Sequence, residues 1–347
     1  ALNNLGNLYR KKGEHDHSLL LINKALEIDP ENINLMINKT SSLISSGMFQ
    51  EAKELSYNIL QKTKNNSILL NNLGIINGYF NNYDDALDFF KQSNILEPQY
   101  IDPFINFIEV LTKTDRSKFA IEIIEEKITF FEEPHKIYNL LSKLYDSTSQ
   151  LERGLKFYES ILNNNIRFKY LVLNHLGNIY RLSNHIDDAI KCYKESIELN
   201  NSFSISYSNL GASYFEKGDY KKAEKYYTKS IEINPNESTT YYNYGNLKNS
   251  QKHFDESKEF YLKALEVNPN FYDAFYALVR NKEIKNDDLI FQQYLETYQN
   301  QYLDDESKST LAFAFAEYYE NMKQFVKSFN FYKEANNFFR KSINFDI

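Results

Sequence analysis

SISYSNLGASYFEKGDYKKAEKYYTKSIEINPNE, residues 204–237, reads as two helices and the turn between them in thirty-four positions. Tyr207, Leu210 and Tyr214 recur at helical spacing, and after a break so do Ala223, Tyr227 and Ile231. Gly218-Asp219 is that break. Glycine can take the left-handed conformation that ends one helix, and aspartate suits the cap of the next. Pro235 then closes the second helix.

Working outward, the same phrase returns at Leu5-Gly6, Leu73-Gly74, Leu176-Gly177 and Tyr244-Gly245. Gly6 and Gly74 are 68 residues apart, twice 34, and Gly177, Gly211 and Gly245 follow at intervals of 34. Ten repeats result: 1–32, 33–66, 67–100, 101–134, 135–169, 170–203, 204–237, 238–271, a degenerate 272–308, and 309–342. Turn signals recur with them as Gly13 and Pro30, Asn82 and Pro98, and His253 and Pro269. Gly211 with Ala223, Gly74 with Ala86 and Gly177 with Ala189 put one small residue on each helix, which predicts close helix approach. Phe90, Tyr193 and Tyr227 are expected to fill the space between neighbouring repeats.

This pattern of Leu, Gly, Tyr, Gly, Ala, an aromatic, Ala and Pro over 34 positions resembles the tetratricopeptide repeat. The resemblance implies an all-α fold, a single right-handed superhelical α-solenoid over 1–347 whose first helices line a concave groove. Each repeat then leans on its neighbours and the ends call for polar caps, which neither end supplies. Ile108 and Val279 stand where glycine is expected and predict altered packing.

Composition narrows the function. A net charge of −7 without any Lys/Arg run disfavours nucleic acid, and no apolar stretch reaches the length of a membrane span. The 28 Tyr and 26 Phe are read as core filling rather than base-stacking platforms. The one cysteine, Cys192, forms no internal disulfide and fits a reducing, cytoplasmic compartment. Ten scattered glycines assemble no phosphate loop, His15, His17, His135, His175, His185 and His253 lack ligand partners at metal spacing, and no nucleophile–base pairing is visible. No enzyme activity, metal or cofactor is expected of this chain.

The residue two before the glycine position is Asn4, Asn38, Asn72, Asn106, Leu140, His175, Asn209 and Asn243 in repeats 1 to 8. Asparagine costs about 0.5 kcal/mol in a helix interior, so its recurrence asks for a reason. One reading is an amide ladder along the inner groove, offering donors and acceptors to the main chain of an extended peptide. The superhelix of the O-linked N-acetylglucosamine transferase family carries a similar ladder. The other reading is that these amides bond to the adjacent repeat, and the same residues can do both. Asn7, Asn178 and Asn246, one turn on, widen the polar stripe. A two-carboxylate clamp of the chaperone-binding kind needs Lys and Arg where this chain has Asn3, Asn7, Asn38, Ile68, Asn72, Asn174 and Asn178, so that role is disfavoured.

The expected function is a scaffold for a protein or peptide ligand. At the C-terminus, Glu334-Ala335-Asn336, Arg340 and Asn344-Phe345-Asp346, with uncovered Phe338, Phe339 and Ile343, resemble the last repeat of bacterial proteins in which such repeats precede a sulfotransferase domain. This implies the alternative that the chain recruits substrate for a sulfo- or glycosyltransferase part lying beyond residue 347.

Overall fold

A computed structural model describes residues 1–63, 65–132, 134–163, 168–284, 289–299 and 303–342. Ile343, Asn344, Phe345 and Asp346 lie outside the described residues. Among those described there are twenty α-helices and no strand. They run in pairs: α1 (Leu2–Lys11) and α2 (His15–Ile28), α3 (Ile33–Ser45) and α4 (Phe49–Lys62), α5 (Ser67–Tyr79) and α6 (Tyr83–Leu96), α7 (Ile101–Lys113) and α8 (Ser117–Lys127). Next come α9 (His135–Ser147) and α10 (Leu151–Leu162), α11 (Lys169–Leu182) and α12 (Ile186–Leu199), α13 (Ser204–Glu216) and α14 (Tyr220–Ile233), α15 (Ser238–Ser250) and α16 (Phe254–Val267). The last are α17 (Tyr272–Arg280), α18 (Leu289–Tyr298), α19 (Asp305–Asn321) and α20 (Phe325–Ser342). The helices pack into two compact units, residues 1–144 and 145–347.

Each pair is joined through one residue in the left-handed region. Gly13, Gly47, Asn81, Asp115, Ser149, Asn184, Gly218 and Lys252 fill it, 34 residues apart apart from one step of 35. The turn is therefore one residue earlier than Asn82 and His253 suggest; these two are the N-caps of α6 and α16. At Lys252, φ is 63°, a conformation costly to a residue with a Cβ. Lys252→Gly is expected to raise stability by about 0.5–1 kcal/mol in urea unfolding, the relief of the left-handed penalty exceeding the entropy cost of glycine. Unchanged or lower stability would refute this.

The atoms nearest Gly74, Gly177 and Gly211 are ring carbons rather than the paired alanines. A Cβ on Gly177 would sit 2.6 Å from a ring carbon of Tyr193, one on Gly211 would sit 2.8 Å from Tyr227, and one on Gly245 would sit 2.6 Å from Tyr261. The ring lies on the bare helix backbone of its own repeat. It also reaches the next first helix: Tyr158 stacks on His175, and Tyr227 lies 5.7 Å from Tyr244. In α10 the arrangement is inverted, since Gly154 accepts the ring of Tyr145. The fourth repeat replaces both partners by Ile108 and Ile124, each fully buried. Tyr145, Tyr158, Tyr193, Tyr227, Tyr261, Phe90, Phe275, Phe291 and Phe315 are the largest fully buried side chains, so the aromatic excess does fill the core.

Buried hydroxyls supplement this packing. Ser196 Oγ donates to the Tyr170 carbonyl at 2.7 Å and bonds Ser206 Oγ at 2.7 Å; Ser230 repeats this with the Ser204 carbonyl and Thr240. One serine thus ties its own hairpin to the next first helix. On α20, Phe325, Val326, Phe329 and Phe339 are exposed while Phe338 is half-buried.

Candidate peptide-binding site

Asn38, Asn106 and Asn209 share one geometry. The Asn38 amide donates to Asn3 Oδ1 at 2.8 Å, Asn106 to Asn71 Oδ1 at 2.9 Å, and Asn209 to Asn174 Oδ1 at 3.0 Å. Donor and acceptor are 35 residues apart each time, so each bond joins one first helix to the preceding one. The side-chain amide oxygens (Oδ1) of the three donors make no hydrogen bond among the described residues, nor are they among the fully buried atoms left without a partner. Each amide is divided: its NH₂ bonds the preceding first helix and its oxygen has no hydrogen-bond partner among the described residues.

The other sequence-selected residues are less alike. Asn72 is buried and donates to Ser41 Oγ at 2.9 Å, and His175 is buried against the Tyr158 ring. Asn4 is exposed and Asn243 half-buried, and neither is hydrogen-bonded among the described residues.

Asn178 and Asn246 anchor the rings. Tyr193 Oη donates to Asn178 Oδ1 at 2.7 Å and Tyr261 Oη to Asn246 Oδ1 at 2.8 Å. Asn178 Oδ1 also accepts the Asn209 amide at 3.1 Å. Where the ring is Phe90, the matching position is Ile75, with no hydroxyl to receive, but Ala212 stands opposite the Tyr227 ring, so the hydroxyl does not account for every gap in the second row. In the first repeat Ile22 replaces the ring, and Asn7 Oδ1 is buried without a partner.

Sequence reading missed the charged partners. Lys248 is 7% exposed, with Nζ 2.8 Å from both Glu224 and Glu256 and beside the Tyr244 ring. Burial alone would lower its pKa, but hydrogen bonds to the two carboxylates outweigh that and raise it. Arg181 on α11 bonds Glu216 on α13 at 2.6 Å, again across adjacent first helices. Burial, aided by Glu195, Asp188 and Glu159, pushes the Cys192 thiol up to about 12, which suits a packed side chain and not a nucleophile. Among the described residues no cluster of His, Cys, Asp and Glu could hold a metal ion, and no helix is long and apolar enough to cross a membrane.

Comparison with known families bears on this architecture. Tetratricopeptide repeat profiles match residues 1–32 and 204–237, residues 177–218, and residues 238–271. Over those segments the chain matches the tetratricopeptide repeat. Its curated relatives include the anaphase-promoting complex subunit cut9 of Schizosaccharomyces pombe, 23% identical over 205 residues, 56% of this chain and 30% of that protein. Another is the BBSome complex member BBS4 of Bos taurus, 26% identical over 143 residues, 41% of this chain and 27% of that protein. The chain thus spans less than a third of either. Among solved structures, yeast Tom70 covers 97% of this chain and is covered over 75% of its own length, at 18% identity and a TM-score of 0.46.

Proposed function

We propose that this chain is a protein-interaction scaffold that holds extended polypeptide segments along the first helices of each of its compact units. The divided amides of Asn38, Asn106 and Asn209 carry the reading, because each leaves its Oδ1 to accept a ligand main-chain N–H. Asn4 and Asn243 add amides with both functions free, and Asn246 a free NH₂. Contacts of this kind grip the main chain and tolerate many side chains. The names of cut9 and BBS4, each a member of a larger complex, accord with it. A lone inert thiol suits a cytoplasmic setting.

Peptides selected on the full chain from a random phage-displayed library should show a loose consensus. Their affinity should drop about tenfold in Asn243→Ala, the loss of one or two hydrogen bonds, with the melting temperature unchanged. Asn178→Ala should instead lower the melting temperature, since it removes the shared acceptor of the Tyr193 hydroxyl and the Asn209 amide. Peptides indifferent to Asn243 and Asn209 alike would sink the reading. Recruitment of protein substrates to a sulfo- or glycosyltransferase is the alternative use of the same binding chemistry. No observation favours it, and the coding sequence beyond residue 347 decides it.

A further inference from the structure

A cleft of about 230 Å³ opens among α5, α6 and α7, and Asn106 joins it to the asparagine row. The sequence hollows it out. Gly74 and Gly78 leave one side of α5 as bare backbone, and a Cβ on Gly78 would meet no foreign atom closer than Val110 Cγ2 at 3.9 Å. Ile75 and Val110 make the neighbouring wall apolar. Two acceptors line the same cleft. Asn106 spends its NH₂ on Asn71, while its Oδ1 has no hydrogen-bond partner among the described residues and is not among the fully buried atoms. Glu109, three residues on and so on the same face of α7, makes neither a hydrogen bond nor an ion pair among the described residues. Its side chain reaches solvent from within a cleft whose walls displace much of the surrounding water. That burial raises the Glu109 carboxyl above its ordinary value, although Lys113, which also lines the cleft, and Lys143 pull it down. The two lysines therefore leave the carboxylate short of compensating charge.

We propose that this cleft is a specificity pocket that takes a cationic side chain, arginine or lysine, of the polypeptide held along the first helices of residues 1–144; it rests on the reading of those helices as a polypeptide site. Both cations carry several N–H donors and no acceptor, so one side chain can serve Asn106 Oδ1 and the Glu109 carboxylate together. Its aliphatic stem then lies against Ile75, Val110 and the bare stretch of α5. A neutral donor would satisfy the amide and leave the carboxylate charge unmet, and an acidic side chain would be repelled by it. The volume is below the roughly 300–1,000 Å³ of clefts that enclose a whole ligand, which suits one side chain of a longer chain. The asparagine row grips main chain without regard to side chains, so this pocket fixes the register of the bound segment.

Phage selection on the full chain, run in parallel on the parent and on Glu109→Gln, tests this by sequencing the two pools. Among parent binders weakened by Asn38→Ala, one position should be enriched in Arg or Lys, and the enrichment should vanish on Glu109→Gln. In a synthetic peptide from that pool, citrulline in place of arginine, or acetyl-lysine in place of lysine, should weaken binding to the parent about tenfold and leave binding to Glu109→Gln unchanged. Arginine and lysine versions of the same peptide decide which cation fits better. Gly78→Leu puts a side chain into the cleft from its open side and should weaken the basic peptide with the far-UV spectrum intact. A pool without a basic position, one whose basic position persists on Glu109→Gln, or equal binding of the neutral peptide overturns the proposal. Binders weakened by Asn38→Ala but indifferent to Glu109→Gln overturn this inference and leave the scaffold reading standing, whereas a library that yields no binder overturns both.

Discussion

Gly74→Ala should destabilise the protein by roughly 1–3 kcal/mol, although alanine gains about 1 kcal/mol over glycine as a helix former. The added Cβ would fall 2.4, 2.6 and 2.8 Å from three carbons of the Phe90 ring. That ring is 1% exposed, so it cannot swing into solvent. Either it leaves its rotamer or α5 and α6 part. Gly78, one turn on in the same helix, provides the control: its nearest foreign atom would be Val110 Cγ2 at 3.9 Å, ordinary contact. Gly78→Ala should therefore be neutral or stabilising, by up to about 1 kcal/mol. Paired urea melts measure both. Shrinking the ring with Phe90→Leu should cost less in the Gly74→Ala background than in the parent, and the cycle isolates that coupling. Equal effects of the two alanines would show that the ring does not set the helix approach.

The contrast between Gly74 and Gly78 also shows what the sequence could reveal. The period of 34 fixes which residues pair into helices, because apolar spacing and turn residues act locally. Gly74 was recognisable as a close-approach position, but its partner depended on how far the neighbouring helix rolls, and the ring rather than Ala86 meets it. The left-handed turn was legible at Gly13 and Gly218, where the residue type announces it, and slipped by one at Asn81 and Lys252, where it does not. The row at Asn38, Asn106 and Asn209 was visible from spacing alone. Its division into a bonded NH₂ and an unpartnered oxygen was not, since that depends on which amide lies across from it. The cleft at Glu109 depends on what lies across from Gly78, which no residue type marks.

Lys248 was the least legible of all: in sequence it is one more lysine on a polar helix. Its side chain is 9% exposed, between Glu224 and Glu256 at 42% and 50%. The cost of this triad falls on the buried cation and the relief comes from two half-solvated anions, so the members are not equivalent. Removing both anions, Glu224→Ala with Glu256→Ala, strands the ammonium. A loss of stability is expected, smaller than that of breaking a fully buried pair because water reaches the anions. Lys248→Met removes the cation, keeps an apolar stem against Tyr244 and leaves the glutamates in water, so it should be neutral or stabilising. Adding Lys248→Met to the double variant should therefore restore stability, a reversal of sign that a set of additive salt bridges would not give. The pH dependence follows. Hydrogen bonding to Lys248 holds both carboxyls below their ordinary values, so the carboxylate contribution is complete above about pH 4.3, the unfolded glutamate value, and is lost as pH falls through the depressed folded values. The Lys248 pKa is raised, so its share is complete below about pH 10.4 and is lost only as pH rises through its folded value. Thermal melts of the parent and Lys248→Met should thus lie closest near neutrality and separate in acid, where protonation of the glutamates strands the buried ammonium and the parent falls below the variant. A difference that is constant over that interval would mean the lysine acts by packing alone.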